Sequence, residues 1–327
     1  MRRRDFVWGI SGAALALPSA ALPQQATVPV VAFIHSGASD ALVRYAVAFR
    51  QGLKQSGYIE HQNVVVEYHW LEGHYDRLPA LLEDLIRRRV AVIATPDTTA
   101  SLAAKAATAT VPIVFGAGID PVALGLVASL ARPGGNATGV NFFSIEVDTK
   151  RLGLMHALLP AATRYAVMLD SNDPTTAEST TKSLTEVAPH LGLSLKFVSA
   201  NSPQQIDAAF MGFASERPDA LFIAGDSLFA SRAQQFATLT MRERLPASFT
   251  TRGMVEAGLL MNYGTDIVDM FRQIGVYAGS ILKGAEPADL PVLQSTKFDF
   301  AINLRTARAL GVTVPPSLLA MADDVIE

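Results

Sequence analysis

From residue 30 onward the chain alternates short, apolar, β-rich runs with amphipathic stretches of helical period, and it does so in two series. The first series predicts strands at residues 30–35, 64–70, 90–94 and 111–115, with helices at about 40–56, 77–88 and 99–108 between them. Strand followed by helix, repeated, gives parallel βαβ units, because a parallel neighbour needs a crossover long enough to bring the chain back. The strands are apolar on consecutive rather than alternate residues, so each sheet is expected to be covered on both faces. A turn-rich run, Arg132-Pro133-Gly134-Gly135-Asn136, closes the series. The second predicts strands at 165–169, 194–198, 220–224, 247–250 and 259–263, with helices near 175–191, 203–215, 230–244 and 266–282. Two α/β lobes of like architecture are therefore expected, without a residue-level repeat. Ligands of open parallel sheets sit beyond the carboxyl ends of the strands, so two lobes facing each other across those ends make a closing cleft.

Composition is consistent with this and excludes other classes. A chain of 327 residues, 50 % hydrophobic and 17 % charged, is long enough for two cores. The formal charge is −3, and Arg87-Arg88-Arg89 is the one basic run after the N-terminus. That run ends a predicted helix, where cations face the terminal carbonyls, so no nucleic-acid partner is expected. There is no cysteine, which excludes disulfides, thiolate metal sites, a cysteine nucleophile and a lipid anchor on an N-terminal cysteine.

The first residues have the layout of an export signal. Arg2-Arg3-Arg4 precedes an apolar stretch over residues 6–17 and then small residues at Ser19, Ala20 and Ala21. Arg3-Arg4-Asp5-Phe6 is similar to a twin-arginine signal. Residues 1–22 are expected to be removed, leaving a soluble periplasmic protein that is not a lipoprotein. No later apolar run has the length to cross a bilayer.

Catalytic motifs are poorly matched. Gly116-Ala117-Gly118-Ile119-Asp120-Pro121 begins like a dinucleotide loop but has Pro121 in place of the third glycine and follows the fourth strand rather than the first. Gly225-Asp226-Ser227-Leu228 spells the tetrapeptide of GDSL esterases after a strand. Its serine comes late in the chain, however, and no histidine follows an aspartate at the spacing that would supply a base. The six histidines lack the short helical spacing of a metal pair, and His35 alone stands at a strand end. No catalytic residue, metal site or cofactor is expected.

The strand ends carry binding chemistry instead. Ser36 and Ser39 precede one helix, and Thr95, Thr98 and Thr99 precede another; hydroxyls and free N–H groups at helix starts suit a carboxylate. Gly118 lies in the loop after the fourth strand. Asp120, Asp170 and Asp226 are placed to receive an ammonium or hydroxyl group, with Asp226 the strongest of the three. Phe142 and Tyr263 are candidate cleft walls, Tyr263 preferred for its polar tip. Each of these residues has an equally ordinary reading as a cap, turn or core residue.

The same chain resembles the ABC-transporter solute-binding family that includes tryptophan/tyrosine-type binding proteins. The resemblance runs through Gly73-His74-Tyr75-Asp76-Arg77-Leu78-Pro79, Asp120-Pro121-Val122-Ala123-Leu124-Gly125-Leu126-Val127, Arg132-Pro133-Gly134-Gly135-Asn136-Ala137-Thr138-Gly139-Val140, Met261-Asn262-Tyr263-Gly264 and Val314-Pro315-Pro316-Ser317-Leu318-Leu319. It covers essentially the whole chain after the export segment. What it implies is a type I periplasmic-binding fold: two doubly wound parallel-sheet lobes joined by three hinge crossings, near residues 138–143, 247–252 and 285–293. The lobes would comprise residues 28–140 plus 250–287 and 141–249 plus 288–327. It also implies a monomeric receptor for a small organic solute (an amino acid, aromatic or carboxylate-bearing compound), with the membrane permease of an ABC importer as partner. The loop Ala94-Thr95-Pro96-Asp97-Thr98-Thr99 departs from the family's glycine-rich segment, and Asp97 there would repel a carboxylate in the cleft. A secreted hydrolase using Ser227 and a periplasmic ligand-sensing domain are the alternative readings.

Overall fold

A computed structural model describes residues 28–37 and 43–327. The export segment and Ser39 lie outside the described residues. The first sheet contains β1 (Val30–His35), β2 (Val65–Trp70), β3 (Val92–Thr95), β4 (Ile113–Ala117), β5 (Ala137–Asn141) and the two-residue β11 (Leu293–Gln294). Their order is β11-β5-β4-β3-β1-β2, parallel throughout. Alternate residues of β1 serve opposite faces, as the strand period requires. Val31 and Phe33 pack under α1 (Val43–Gln55) and α10 (Ile267–Leu282), whereas Ala32 and Ile34 pack under α2 (Leu78–Arg87) and α3 (Thr98–Ala107). The wholly apolar strand is thus explained by two half-cores, one on each side.

Helices α1 and α10 touch backbone to backbone. A Cβ on Gly52 would collide with the carbonyl of Arg272, and one on Gly275 with the carbonyl of Phe49. Glycine at both positions lets a helix from late in the chain lie flush on one from its start.

The second sheet has the order β13-β12-β10-β9-β8-β6-β7. It is built from β6 (Arg164–Leu169), β7 (Ser194–Ser199), β8 (Ala220–Ile223), β9 (Ala247–Phe249), β10 (Met261–Thr265), β12 (Phe298–Asn303) and β13 (Asp324–Ile326). All pairs are parallel except β10 with β12. One face carries α4 (Ser144–Leu158), α5 (Pro174–Val187), α11 (Leu304–Leu310) and α12 (Pro316–Met321); the other carries α6 (Pro203–Gly212), α7 (Ser227–Ser231), α8 (Ala233–Arg242) and α9 (Arg252–Ala257). The helix expected over 230–244 is in fact α7 and α8, broken at Arg232, whose φ of −108° and ψ of 25° leave the helical region.

Sheet membership corrects the expected lobe boundaries. Residues 250–265 belong to the second sheet, because β10 pairs with β9 on one side and β12 on the other. Residues 293–294 belong to the first, because β11 pairs with β5. The chain therefore passes between the sheets after Asn141, after Thr265 and after Gln294, rather than near 247–252 and 285–293. Residue 138, expected to begin a crossing, lies within β5. Hydrophobic period identifies a strand but carries no information about which sheet it joins. The three passages are tied together: Thr265 Oγ1 donates to the Phe142 carbonyl at 2.7 Å, and the Ser295 N–H donates to the Asn141 carbonyl at 2.9 Å. Phe143, beside the first passage, has a φ of 54°, a left-handed conformation that costs a non-glycine residue energy and persists only where its surroundings hold it.

Candidate ligand-binding cleft

Three βα turns that enter the cleft end in an aspartate, and each aspartate caps the helix that follows. Asp97, after β3, accepts the Ala100 N–H at 2.7 Å and starts α3. Asp173, after β6, accepts the Thr176 N–H at 3.1 Å and starts α5, with Pro174 at the first helical position. Asp226, after β8, accepts the N–H groups of Leu228 and Phe229 at 2.6 and 3.2 Å and starts α7. Local capping chemistry fixes these turns. The facing of the two sheets then brings the caps into a single cavity of about 120 Å³ between the lobes.

The first lobe supplies His35, Tyr45, Tyr75, Asp97, Thr98 and Gly118 to this cavity, and the second supplies Asp173, Thr176, Asp226, Ser227 and Phe249. The hinge passages add Phe142, Ser144 and Thr265, and the start of α10 adds Phe271. One wall is aromatic: Tyr45 and Phe271 stack with centroids 4.7 Å apart and planes 10° from parallel, and His35 also stacks on Phe271 at 5.5 Å. His35 is held neutral. Burial pushes its pKa down to about 3, and its Nδ1 accepts the Gly37 N–H at 2.9 Å, so the remaining ring proton belongs on Nε2.

The opposite side is acidic. Asp170 is buried behind Asp226 and close enough to interact with it directly. Burial first, and the nearby Asp173 next, push Asp170 up to about 6; its hydrogen bond from the Asn172 N–H offsets part of this. Burial, then repulsion from Asp170 and Asp173, raises Asp226 well above the ordinary carboxylate range. Asp97 rises to about 7, mainly through burial, against the lowering effect of its helix-capping bond. Its Oδ2 is buried without a hydrogen-bond partner, and so is the hydroxyl of neighbouring Ser36. The Tyr75 hydroxyl, near Asp97, Asp226 and Asp173, is pushed well above its usual value by burial and by those carboxyls. Among the described residues, no group of three His, Asp or Glu side chains is arranged to hold a metal ion.

Among the described residues, two bonds cross the cleft directly. Thr99 Oγ1 donates to Asp173 Oδ1 at 2.8 Å, and Asn172 Nδ2 donates to the Gly73 carbonyl at 3.2 Å.

Of the residues singled out from the sequence, Thr98, Gly118, Phe142 and Asp226 line the cavity. Ser36 and Asp170 stand immediately behind it, and Thr99 spans its edge through Asp173. Three others are placed differently. Thr95 is fully buried and shares a bond with Ser101 Oγ inside the α3 turn. Asp120 is exposed and accepts the Val122 N–H at 2.8 Å as an ordinary turn residue. Tyr263 stacks on Phe298 and packs against the second lobe's core, away from the cavity. Sequence reading missed Asp173, Tyr45, Phe249 and Phe271. Asp173-Pro174 is a helix-start signal that could have marked Asp173; nothing local distinguishes the aromatics from core residues.

Comparison with known proteins agrees with this architecture. The family model described as ABC transporter substrate binding protein matches residues 27–326. The tyrosine-binding protein of Clostridioides difficile is 24 % identical over 264 residues, covering 81 % of this chain and 75 % of that protein. A conserved domain protein from Vibrio cholerae has a crystal structure that superposes with a TM-score of 0.82 at 27 % identity, over 91 % of this chain and 99 % of that one. The ABC domain from Streptococcus pneumonia in complex with L-Trp superposes with a TM-score of 0.79 at 25 % identity, with the same coverage. The two lobes, their parallel-dominated sheets and the three passages are those of the type I periplasmic-binding fold. The chain belongs to the ABC transporter substrate-binding protein family.

Proposed function

We propose that this protein is the exported receptor of an ABC importer, which closes its two lobes on a small organic solute and delivers it to a membrane permease. The observation that carries the reading is the cavity at the carboxyl ends of both sheets, lined by both lobes and bordered by the hinge passages after Asn141 and after Thr265. A solute that touches both lobes only when they are closed shifts the open–closed equilibrium by its differential affinity for the two states. The names of the relatives carry tyrosine and L-Trp. An aromatic body bearing an amino group suits a cleft with a Tyr45–Phe271 wall on one side and carboxyls on the other. The arginine-led N-terminal segment supports export.

Ser227 lines the same cavity, so the hydrolase alternative has a nucleophile in place. It lacks a base: the histidine that shares the cavity, His35, has Nδ1 engaged by Gly37 and carries its proton on Nε2. A serine without a base is a poor nucleophile.

Thermal-shift and calorimetric screening with aromatic amino acids, aromatic amines and small carboxylates tests the proposal. Saturable binding is expected for at least one class, with a melting temperature that rises with ligand concentration by mass action. Asp226→Ala and Phe271→Ala should each weaken it. A panel without a single binder would remove the receptor reading.

A further inference from the structure

The first-turn N–H groups of a helix are the usual donors for a bound carboxylate. In this cleft a carboxyl of the chain itself already sits at each of these helix starts: Asp97 accepts from Ala100, Asp173 from Thr176, and Asp226 from Leu228 and Phe229. What the cavity offers a solute is carboxyl oxygen. Asp97 Oδ2 is the sharpest case: it is buried beside the Ser36 hydroxyl, close enough for Ser36 to lower the Asp97 pKa but without a well-formed hydrogen bond between them.

No cation among the described residues balances this cluster from within the cavity, since no lysine or arginine lines it. Residues 38–42, outside the described set, bring Asp40 and no basic residue to the sequence. His35 is neutral for the reasons given above. Arg44 reaches the edge of the cavity only through the Tyr45 hydroxyl, to which it donates at 2.9 Å, and its guanidinium lies against Gly253 of the other lobe. Among the described residues the carboxyls are not grouped as metal ligands.

We infer, resting on the receptor reading, that the solute is an organic amine: an ammonium carried on an aromatic or apolar body, with no carboxylate on the carbon that bears the ammonium. The ammonium sits among Asp97, Asp173 and Asp226 and takes up the unused carboxyl oxygen. The body lies along Tyr45, Phe142 and Phe271. With the ammonium bound the carboxyls around it are ionised, and a carboxylate on the same carbon would face these like charges at helix ends that already hold the chain's own carboxyls. Burial and the neighbouring carboxyls favour the protonated forms of Asp97, Asp170 and Asp226, whereas an ammonium among them favours the ionised forms. Binding the ammonium therefore releases protons.

Isothermal titration calorimetry with matched pairs tests this directly: phenylethylamine against phenylalanine, tyramine against tyrosine, tryptamine against tryptophan. Within each pair the carboxylate is the difference. The amine of at least one pair is expected to bind more tightly than its amino acid by about tenfold or more. Its affinity should rise between about pH 5.5 and 8 with net proton release, since Asp170 and Asp97 deprotonate across that range while His35 and Tyr75 do not change charge. Asp97→Asn should weaken the amine by about tenfold and leave the amino acid unaffected or improved. If Asp97→Asn does not fold, Asp226→Asn and the pH series on the unaltered protein serve in its place. Amino acids binding as tightly as their amines, or amine affinity flat or falling with pH, would overturn the charge assignment while leaving the receptor reading intact. Failure of every compound, amine and amino acid alike, would remove both.

Discussion

At Asp97 one carboxyl oxygen caps α3 by accepting the Ala100 N–H, while the other is buried without a partner. A helix cap is worth about 1 kcal/mol, but a buried unpaired charge costs more than that, so the carboxyl holds its proton up to about pH 7 in the folded chain. The consequence for stability has a definite sign. A carboxyl whose folded pKa lies above its unfolded value binds more protons in the native state, so the stability it provides is lost as pH rises through the folded pKa. Asp97, Asp170 and Asp226 all act in this direction. His35, lowered from 6.5 to about 3, acts oppositely, but only below about pH 6.5, above which it is neutral in both states. The ligand-free protein should therefore lose roughly 1 kcal/mol between about pH 6.5 and 8 through Asp97 alone. Asp97→Asn should flatten that decline. Calorimetric melting across the pH series measures it, and a decline unchanged in the variant would show that Asp97 is not the responsible group.

At the scale of elements, α4 and α5 are joined by a charge pair inside the second lobe. Arg151 is completely buried, donates to Asp148 at 2.9 Å and lies over the Phe222 ring at 3.9 Å. Asp148 also accepts from Thr180 on α5 at 3.1 Å. Burial lowers the Arg151 pKa to about 10, partly offset by Asp148, and burial raises that of Asp148 against the pull of Arg151. Both shifts express the same desolvation cost, which the pair only partly recovers. Removing one partner strands the other, so Asp148→Ala should cost about 3–5 kcal/mol. Replacing both residues by leucine and methionine should cost much less. Urea denaturation of the two variants distinguishes these outcomes; equal losses would mean that packing, not charge, dominates. None of this was legible beforehand. Asp148 and Arg151 stand three apart on a stretch that reads as an ordinary polar helix surface, and only packing against β8 and α5 makes them interior. The βα turns at Thr98 and at Asp226, by contrast, were legible, because capping is local chemistry, whereas Asp173 was missed despite its own helix-start signal.

At the scale of the whole molecule, few bonds among the described residues hold the two lobes together across the cleft. Thr99 to Asp173 and Asn172 to the Gly73 carbonyl span the cleft. A net hydrogen bond contributes about 1 kcal/mol, enough to change the ratio of closed to open forms several-fold. Thr99→Val should thus raise the radius of gyration of the ligand-free protein in small-angle scattering and weaken ligand affinity several-fold, by lowering the fraction of competent closed form. An unchanged scattering profile with unchanged affinity would show that the bond does not set the equilibrium. Asp173 makes this economical, since one carboxylate caps α5 through Thr176 and receives Thr99 from the other lobe.

The sequence by itself determined what depends on near neighbours. Consecutive apolar runs at 30–35 and 220–224 read as strands covered on both faces. Their alternation with helices required parallel sheets, and two such series required two lobes. Strand ends followed by helix caps placed Thr98 and Asp226 in the right turns. Tertiary structure alone decided what depends on partners far along the chain. It put β10 in the second sheet and β11 in the first, which moved the hinge passages to Asn141, Thr265 and Gln294. It turned Tyr263 onto Phe298 instead of into the cleft. It gathered Asp97, Asp173 and Asp226 from turns up to 129 residues apart in sequence into one cavity. The physical reason is the same in each case: hydrogen-bonding period and cap geometry are written within a few residues, whereas sheet partners and facing surfaces are selected by non-local pairing and burial.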